Sequence, residues 1–208
     1  MNYGVGMRKL YGFAMSPNTR RARLGLEEAG LAYEMVDVDL MQGAHKKPEY
    51  LALNLTGRVP TLVDGDFVLW ESNAILEYAA ELVPTKKLGG TTPVERAEIA
   101  RWMFLSSSHV GVAVQRIFAH TIRLPEDQRI PRLVTEARAD LDRSLAAVET
   151  RLMDRTWLIG DRLTIADLSI LPTLAAAPML GIDLGKFPSV GAWLARAGER
   201  EAFRRIIG

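Results

Sequence analysis

A serine followed by a proline, Ser16-Pro17, stands where a short apolar segment gives way to an amphipathic helical pattern. A serine hydroxyl at a helix N-terminus can donate a hydrogen bond to an anion, and the helix dipole favours negative charge there. The same dipeptide is also a common helix start, with serine as N-cap and proline as the first helical residue. Asn18 either assists Ser16 or is an exposed residue of the first turn. Local sequence leaves both interpretations open.

A second polar pair, Glu71-Ser72, marks another predicted strand-to-helix junction. Ser72 and the free amides of a helix start suit a carboxylate, and Glu71 suits an ammonium group beside it. The alternative is a simple cap with Ser72 at the N-cap position, and one residue can serve both purposes. His45 and Lys46 lie in a predicted loop, where they either meet a second anionic group or are merely exposed.

The composition limits the chemistry that the chain can perform. None of its 208 residues is cysteine, which excludes disulfides, thiolate metal sites and a cysteine nucleophile, so any thiol must come from a substrate. The absence of cysteine fits a reducing compartment, and we expect a cytoplasmic protein. Histidines 45, 109 and 120 show no ligand spacing with carboxylates, so no metal site is expected.

Charge and hydropathy argue against nucleic-acid and membrane partners. The formal net charge is +1, which gives no global field to attract nucleic acid. The densest basic stretch, Arg20, Arg21 and Arg23, is predicted to be the solvated face of a helix. The longest uncharged run, residues 168–182, contains two prolines and is too short to cross a bilayer, so it predicts a buried helix. Residues 1–7 lack the apolar core of a signal peptide, and Met7 is an alternative start.

The elements that must position these residues alternate between strand and helix as far as residue 83. A strand, a helix and a strand in succession predict a right-handed crossover and parallel strands, and Asp64-Gly65 between apolar runs predicts a hairpin. The order βαβ, connecting segment and ββα is the thioredoxin-like arrangement. The predicted elements are strand 9–13, helix 17–29, strand 34–40, strands 61–63 and 66–70, and helix 73–82.

Everything after residue 92 is predicted to be helical. Thr92 to Glu95 forms a capping pattern before a helix that runs to about Leu124, and Ala137 to Leu152 contributes one apolar stripe to a helix over residues 134–154. Thr164 to Asp167 caps the buried run, and Pro188 opens a short helix. We therefore predict an α/β thioredoxin-like domain over residues 1–84, a linker over 85–92 and an all-helical domain over 93–208.

Short motifs in a fixed order carry a family resemblance. The chain resembles the cytosolic glutathione S-transferases, in particular the serine-type, phi-like and bacterial branch, densely over its first 83 residues. The second domain contributes Gly160-Asp161 and Thr164 to Asp167. The motifs are Lys-Leu-Tyr-Gly at 9–12, Met-Ser-Pro-Asn at 15–18, residues 43–51 with Asn54, Gly-Arg-Val-Pro-Thr-Leu-Val-Asp-Gly at 57–65, and Glu-Ser-Asn-Ala-Ile at 71–75.

The resemblance implies that glutathione is a co-substrate, with no permanently bound cofactor, and that Ser16 and Asn18 are catalytic. A free thiol with a pKa of about 8.5 is only about 3% ionised at pH 7. Lowering that pKa by roughly 2 units requires about 2.7 kcal/mol of preferential stabilisation of the thiolate. A hydroxyl hydrogen bond to an anion supplies roughly 1.5–3 kcal/mol, and a helix N-terminus adds about 0.3–1 kcal/mol. The two contributions of Ser16 together, roughly 1.8–4 kcal/mol, span the required value.

The same resemblance assigns the groups that hold the peptide. Ser72 and Glu71 would bind the γ-glutamyl end, and His45 with Lys46 would meet the glycyl carboxylate. The backbone of Val59 would pair with the cysteinyl residue before a cis proline, although only about 5–6% of X–Pro bonds are cis. Arg58 departs from the family glutamine without affecting a backbone pairing. The implied glutathione-binding set is His45, Lys46, Arg58, Val59, Pro60, Glu71 and Ser72.

An acceptor substrate would lie between the first domain and the long helix of the second. Apolar residues at helical spacing are more often core than binding residues, so these candidates depend on the resemblance alone. They are Met15, Phe104, Ser108, His109 and Val112.

Three functions fit this reading. The first is conjugation of glutathione to small apolar electrophiles, and the second is glutathione-dependent reduction of peroxides or disulfides with the same thiolate. The third is a non-catalytic interaction module, which the retained binding motifs disfavour. The resemblance also implies a homodimer, although Asn54-Leu55-Thr56-Gly57 replaces the Asn-Pro-Phe-Gly of phi-like members and predicts a different dimer contact.

Overall fold

The computed structural model describes residues 7–208. Residues 1–6 lie outside the described residues. They include the start of the predicted first domain and most of the segment that lacks the apolar core of a signal peptide. The first half contains four strands and three helices: β1 (Arg8–Gly12), α1 (Pro17–Ala29), β2 (Tyr33–Asp37), α2 (Pro48–Leu51), β3 (Thr61–Asp64), β4 (Phe67–Trp70) and α3 (Ser72–Leu82).

The strands form one mixed sheet in the order β2-β1-β3-β4. β1 and β2 are parallel, as the βαβ pattern predicts, and β3 runs antiparallel to both β1 and β4. The second strand ends at Asp37 rather than at residue 40, because its partner strand ends at Gly12. The amide of Val38 still donates to the Gly12 carbonyl at 3.0 Å, and Val38 is buried.

The hairpin is shifted by one residue from its prediction. Its loop is Gly65-Asp66, with Gly65 at φ +60°, whereas Asp64 pairs with Phe67 inside the ladder. The Asp64 carboxylate accepts hydrogen bonds from Arg8 Nε at 2.7 Å and from the Tyr78 hydroxyl at 2.9 Å. These bonds fix Asp64 on the strand, so the turn begins one residue later.

The second half consists of helices joined by turns, and its one isolated β-bridge among the described residues joins Trp157 to Gly160. Its long first helix is continuous from Pro93 to Arg123 but contains two wider π turns, Ser106–Val110 and Ala119–Arg123. The predicted stripe of the 131–152 helix is buried at each of its positions, from Ala137 to Leu152. The α-helices are α4 (Pro93–Leu105), α5 (Gly111–Phe118), α6 (Pro131–Leu152), α7 (Ile165–Leu174), α8 (Pro188–Gly198) and α9 (Glu201–Ile206).

Helix α1 lies at the boundary between the two halves, packed on α3 and also against α7 and α9. One sequence prediction is wrong here. Arg21 is only 4% exposed, whereas Arg20 and Arg23 are half-buried, so this stretch is not a solvated face.

The predicted linker is also anchored, because the Leu88 side chain is buried and its carbonyl accepts from the Ile165 amide at 3.0 Å. No helix in the described part of the chain combines the length and hydrophobicity that a membrane crossing requires.

Candidate active site

Ser16 caps the first turn of α1. Its backbone is extended (φ −66°, ψ 125°), and its Oγ accepts a hydrogen bond from the Thr19 amide at 3.5 Å, near the long limit for such a bond. The helix-cap interpretation is therefore confirmed. Among residues 7–208 the Ser16 hydroxyl hydrogen has no acceptor, so the cap leaves a donor available to a ligand.

Asn18 is exposed in the same turn, and its amide is held in one orientation. Its Oδ1 accepts a hydrogen bond from Arg21 Nη1 at 2.9 Å. The Nδ2 group has no protein partner within the described residues. The side chains of Ser16 and Asn18 therefore each keep a free donor, the Ser16 hydroxyl and the Asn18 Nδ2 group.

Glu71 and Ser72 form the start of α3, but not in the way that a simple cap predicts. Glu71 occupies the N-cap position with φ +71°, is exposed, and makes no side-chain cap bond. Ser72 is the first helical residue and is 5% exposed. Its Oγ accepts from Arg21 Nη1 at 2.8 Å and makes no cap bond to the helix amides. The first turn of α3 therefore keeps its amides for another acceptor.

Val59 precedes a cis peptide bond to Pro60, as the resemblance implies. In the part of the chain that the structure describes, neither the Val59 amide nor its carbonyl has a hydrogen-bond partner. The carbonyl of Arg58, by contrast, accepts from the Tyr50 hydroxyl at 2.6 Å and from Asn54 Nδ2 at 2.9 Å. These two buried residues fix the loop that presents Val59, whereas the Arg58 side chain points to solvent.

His45 and Lys46 lie on a short 3-10 turn, Ala44–Lys46, beside the same loop. The His45 carbonyl would lie 3.1 Å from a β-carbon placed on Gly57, whose φ is +59°, so this close approach requires glycine. The His45 Nδ1 atom is buried without a partner among the described residues, and Lys46 is exposed. No group of three or more histidine and acidic side chains in residues 7–208 is arranged to hold a metal ion.

Arg21 is the buried polar residue beside the candidate site residues that the sequence interpretation placed on a solvated face. Its guanidinium lies between the two helix starts and donates from Nη1 to both Asn18 and Ser72. Burial lowers the pKa of Arg21 to about 10, and the nearby Glu71 carboxylate acts in the opposite direction. Helical spacing could have predicted the burial of Arg21. Position 21 lies one turn before Gly25 and two turns before Ala29, and both of these residues are buried.

Four of the five acceptor-substrate candidates line grooves on the helical half. Ser108 and His109 line two adjoining grooves, one of which also includes Phe104 and the other Val112. The opposite wall of both grooves is formed by α6, and no residue of the N-terminal half lines either of them. Met15, which is 61% exposed beside Ser16, lines neither of these two grooves.

Comparisons with known proteins agree with this geometry. Residues 7–81 match the N-terminal domain model of glutathione S-transferases, and residues 113–201 match the C-terminal domain model. Glutathione S-transferase 3 of Zea mays is 37% identical over 208 residues, which cover 96% of this chain and 92% of that protein. Glutathione S-transferase GstB of Escherichia coli K12 is 30% identical, covering 97% and 98% of the two chains.

The chain belongs to the glutathione S-transferase family. Among solved structures, the theta class glutathione S-transferase of Xanthomonas axonopodis pv. citri, with glutathione bound, has a TM-score of 0.88 and 34% identity, covering 96% of both chains. The predicted fold class, a thioredoxin-like domain followed by a helical domain, is confirmed. The phi-like and bacterial resemblance is confirmed too, because relatives of both kinds match. The boundaries at residues 84, 85, 92 and 93 stay a prediction.

Proposed function

We propose that this glutathione transferase binds glutathione across the starts of α1 and α3 and holds its thiol as a thiolate beside Ser16. The observation that carries the proposal is the Ser16 hydroxyl, which has a free proton at the N-terminus of a 13-residue helix. A hydroxyl donor and a helix N-terminus both stabilise an anion more than its protonated form, which lowers the thiol pKa. Ser16 would keep its own proton throughout.

The charges of glutathione match the free groups around Ser16. The peptide carries two carboxylates, one ammonium group and a thiol. The γ-glutamyl carboxylate would take the Ser72 hydroxyl and the free amides of α3, and Glu71 would take the ammonium. The glycyl carboxylate would meet His45 and Lys46, and Asn18 would support the thiolate.

The middle of the peptide would be bound by main-chain pairing. Val59 offers one free amide and one free carbonyl, as an added strand requires, and Pro60 fixes the chain direction after it. Arg58 would contribute from the same loop without determining the register, because its side chain is exposed and its carbonyl is already occupied.

We propose conjugation to a small apolar electrophile as the reaction, with Met15 as the acceptor contact adjacent to the thiolate. Phe104, Ser108, His109 and Val112 remain candidates only if the acceptor extends to the α6 grooves. Glutathione-dependent reduction of peroxides or disulfides is the second candidate, because it uses the same thiolate. Mixed-disulfide chemistry through a protein thiol is excluded, since the chain has no cysteine.

The deciding experiment measures the thiolate itself. Ultraviolet difference spectra of the glutathione-loaded protein, titrated from pH 5 to pH 9, should give a thiol pKa roughly 2 units below that of free glutathione. A bound thiol that stays protonated at neutral pH would refute the proposal. Rates with an aryl halide, an epoxide, a hydroperoxide and a mixed disulfide then separate conjugation from reduction. Failure to bind immobilised glutathione would favour the non-catalytic module.

We also propose that the protein is a cytoplasmic homodimer. Family membership supports this assembly, and Leu55, at 89% exposure, offers an apolar contact where phi-like members carry Asn-Pro-Phe-Gly. Sedimentation equilibrium should give twice the mass of one chain. A single-chain mass at micromolar concentration would contradict the dimer and leave the thiolate proposal unaffected.

A further inference from the structure

A buried arginine without a carboxylate partner lies directly behind the candidate site. Arg21 is 4% exposed, and each of its five N–H donors has an acceptor. All five acceptors are neutral oxygens of side chains or backbone. They are the Ser169 carbonyl at 2.7 Å, Ser72 Oγ at 2.8 Å, Asn18 Oδ1 at 2.9 Å, Thr173 Oγ1 at 3.0 Å and Ser106 Oγ at 3.4 Å.

The hydrogen bonds satisfy the donors of Arg21 but bring no carboxylate into contact with its charge. A guanidinium does not lose its proton in a folded protein, and a buried charge without an opposite charge is costly. Exposed Glu71 is the acidic group that acts on it. The starts of α1 and α3 add two positive dipole ends at the same place. The arrangement therefore favours an additional anion here.

The hydrogen bonds of Arg21 also orient the donor groups of Asn18 and Ser72. On Asn18 it occupies the amide oxygen, which turns the Nδ2 group outward. On Ser72 it occupies an oxygen lone pair, so the hydroxyl hydrogen is left for another acceptor. Both neighbours therefore have free donors for a ligand that lies in front of them.

We propose that Arg21 is a positioning residue for the γ-glutamyl end of glutathione. It orients the donors of Ser72 and Asn18 toward the peptide and supplies the buried countercharge for the γ-glutamyl α-carboxylate, without touching the ligand itself. This inference rests on the proposed function. It goes beyond that function because it makes a buried residue between the two domains responsible for the preference for peptides that carry this carboxylate.

The test compares glutathione with an analogue that lacks only this carboxylate, γ-aminobutyryl-cysteinyl-glycine. Calorimetric titration should show that the wild-type protein prefers glutathione at least tenfold. In Arg21→Gln, glutathione affinity should fall at least tenfold and analogue affinity less than threefold. Arg21→Lys, which keeps the charge, should recover most of the preference. Arg23→Gln removes a charge from the same helix without contact to Ser72 or Asn18, and should leave both affinities unchanged.

The outcomes separate this proposal from the general one. Equal losses for the two ligands in Arg21→Gln would show a merely structural role and overturn the inference, as would a wild-type protein with no preference. If Arg21→Gln does not fold, as judged by circular dichroism, Thr173→Val decides instead, because it removes an acceptor of Arg21 that the proposed function does not use. It should lose the preference selectively, and an unchanged preference overturns the inference. Absence of any glutathione binding in the wild-type protein would refute the proposed function itself.

Discussion

Ser16 shows how much of a site a single dipeptide can predict. Its cap geometry follows from Ser-Pro, because the hydroxyl suits the first free amides and proline suits the first helical position. The structure adds that Ser16 Oγ only accepts, from the Thr19 amide at 3.5 Å, so its own hydrogen stays available to a ligand. The burial of Arg21 was not predicted, because its partners Ser72 and Ser169 come from the two domains and are distant in sequence.

Ser16→Ala should reduce the conjugation rate at saturating glutathione at least tenfold, because the thiolate loses its hydroxyl donor. The free energy of unfolding should fall by only about 1 kcal/mol, the usual effect of a lost cap. Thr92→Ala is the matched control, since Thr92 caps α4 by accepting from the Glu95 amide at 3.1 Å. It should cost similar stability with no change in rate. Full activity in Ser16→Ala would mean that Ser16 is only a cap.

Glu71→Gln should weaken glutathione binding while the protein folds normally, because it keeps the shape of an exposed side chain and removes the charge that we propose to bind the ammonium. A charged hydrogen bond contributes roughly 1.5–3 kcal/mol, so the Kd should rise about tenfold or more. Glu77→Gln, an exposed substitution on the same helix, should leave the Kd unchanged. An unaltered Kd in Glu71→Gln would remove this carboxylate from the site.

Helix α7 shows which part of an element can be predicted. The Thr164 to Asp167 pattern predicts its start, and the structure contains the full reciprocal capping box. The pattern does not predict that Asp167 Oδ1 also accepts from the Leu158 amide at 2.9 Å and from Trp193 Nε1 at 3.1 Å. These bonds join α7 to the preceding turn and to α8, which a local capping signal cannot specify.

Asp167→Asn should lower the free energy of unfolding by about 2–3 kcal/mol, because its amide group would place a donor against donors in a buried site. Burial, the largest effect, raises the pKa of Asp167 to about 6, although its hydrogen bonds oppose the shift. The folded state thus holds the proton more tightly than the unfolded chain, so this residue's contribution to stability falls as pH rises from 4 to 6.

The difference between wild type and Asp167→Asn should therefore be about 1 kcal/mol larger at pH 5 than at pH 7. Urea unfolding at the two pH values measures it. A difference that grows with pH would contradict the raised pKa. Thr92→Ala, which removes an uncharged cap, is the control. Its loss of stability should be the same at pH 5 and at pH 7.

Across the whole molecule, charged residues of α1 join the N-terminal domain to the helical one. Glu28 accepts from both Arg200 Nε at 2.7 Å and Arg200 Nη2 at 2.5 Å, and Glu27 pairs with Arg205. The strands and helices could be predicted from local periodicity and caps. These pairs could not, because their partners are more than 170 residues apart and surface charges offer many equivalent pairings.

Arg200→Ala should lower the free energy of unfolding by about 2 kcal/mol, between the values for exposed and fully buried pairs. The Glu28 side chain is only 9% exposed, so it would be left as a nearly buried carboxylate without its partner, whereas Arg200 itself is 38% exposed. Arg143→Ala is the matched control, because Arg143 is 74% exposed and its pair with Asp140 lies on one helix. The control should change stability by less than about 0.5 kcal/mol. Urea unfolding followed by tryptophan fluorescence measures both variants, and equal losses in the two would show that the pair across the domain boundary contributes no more than a surface ion pair.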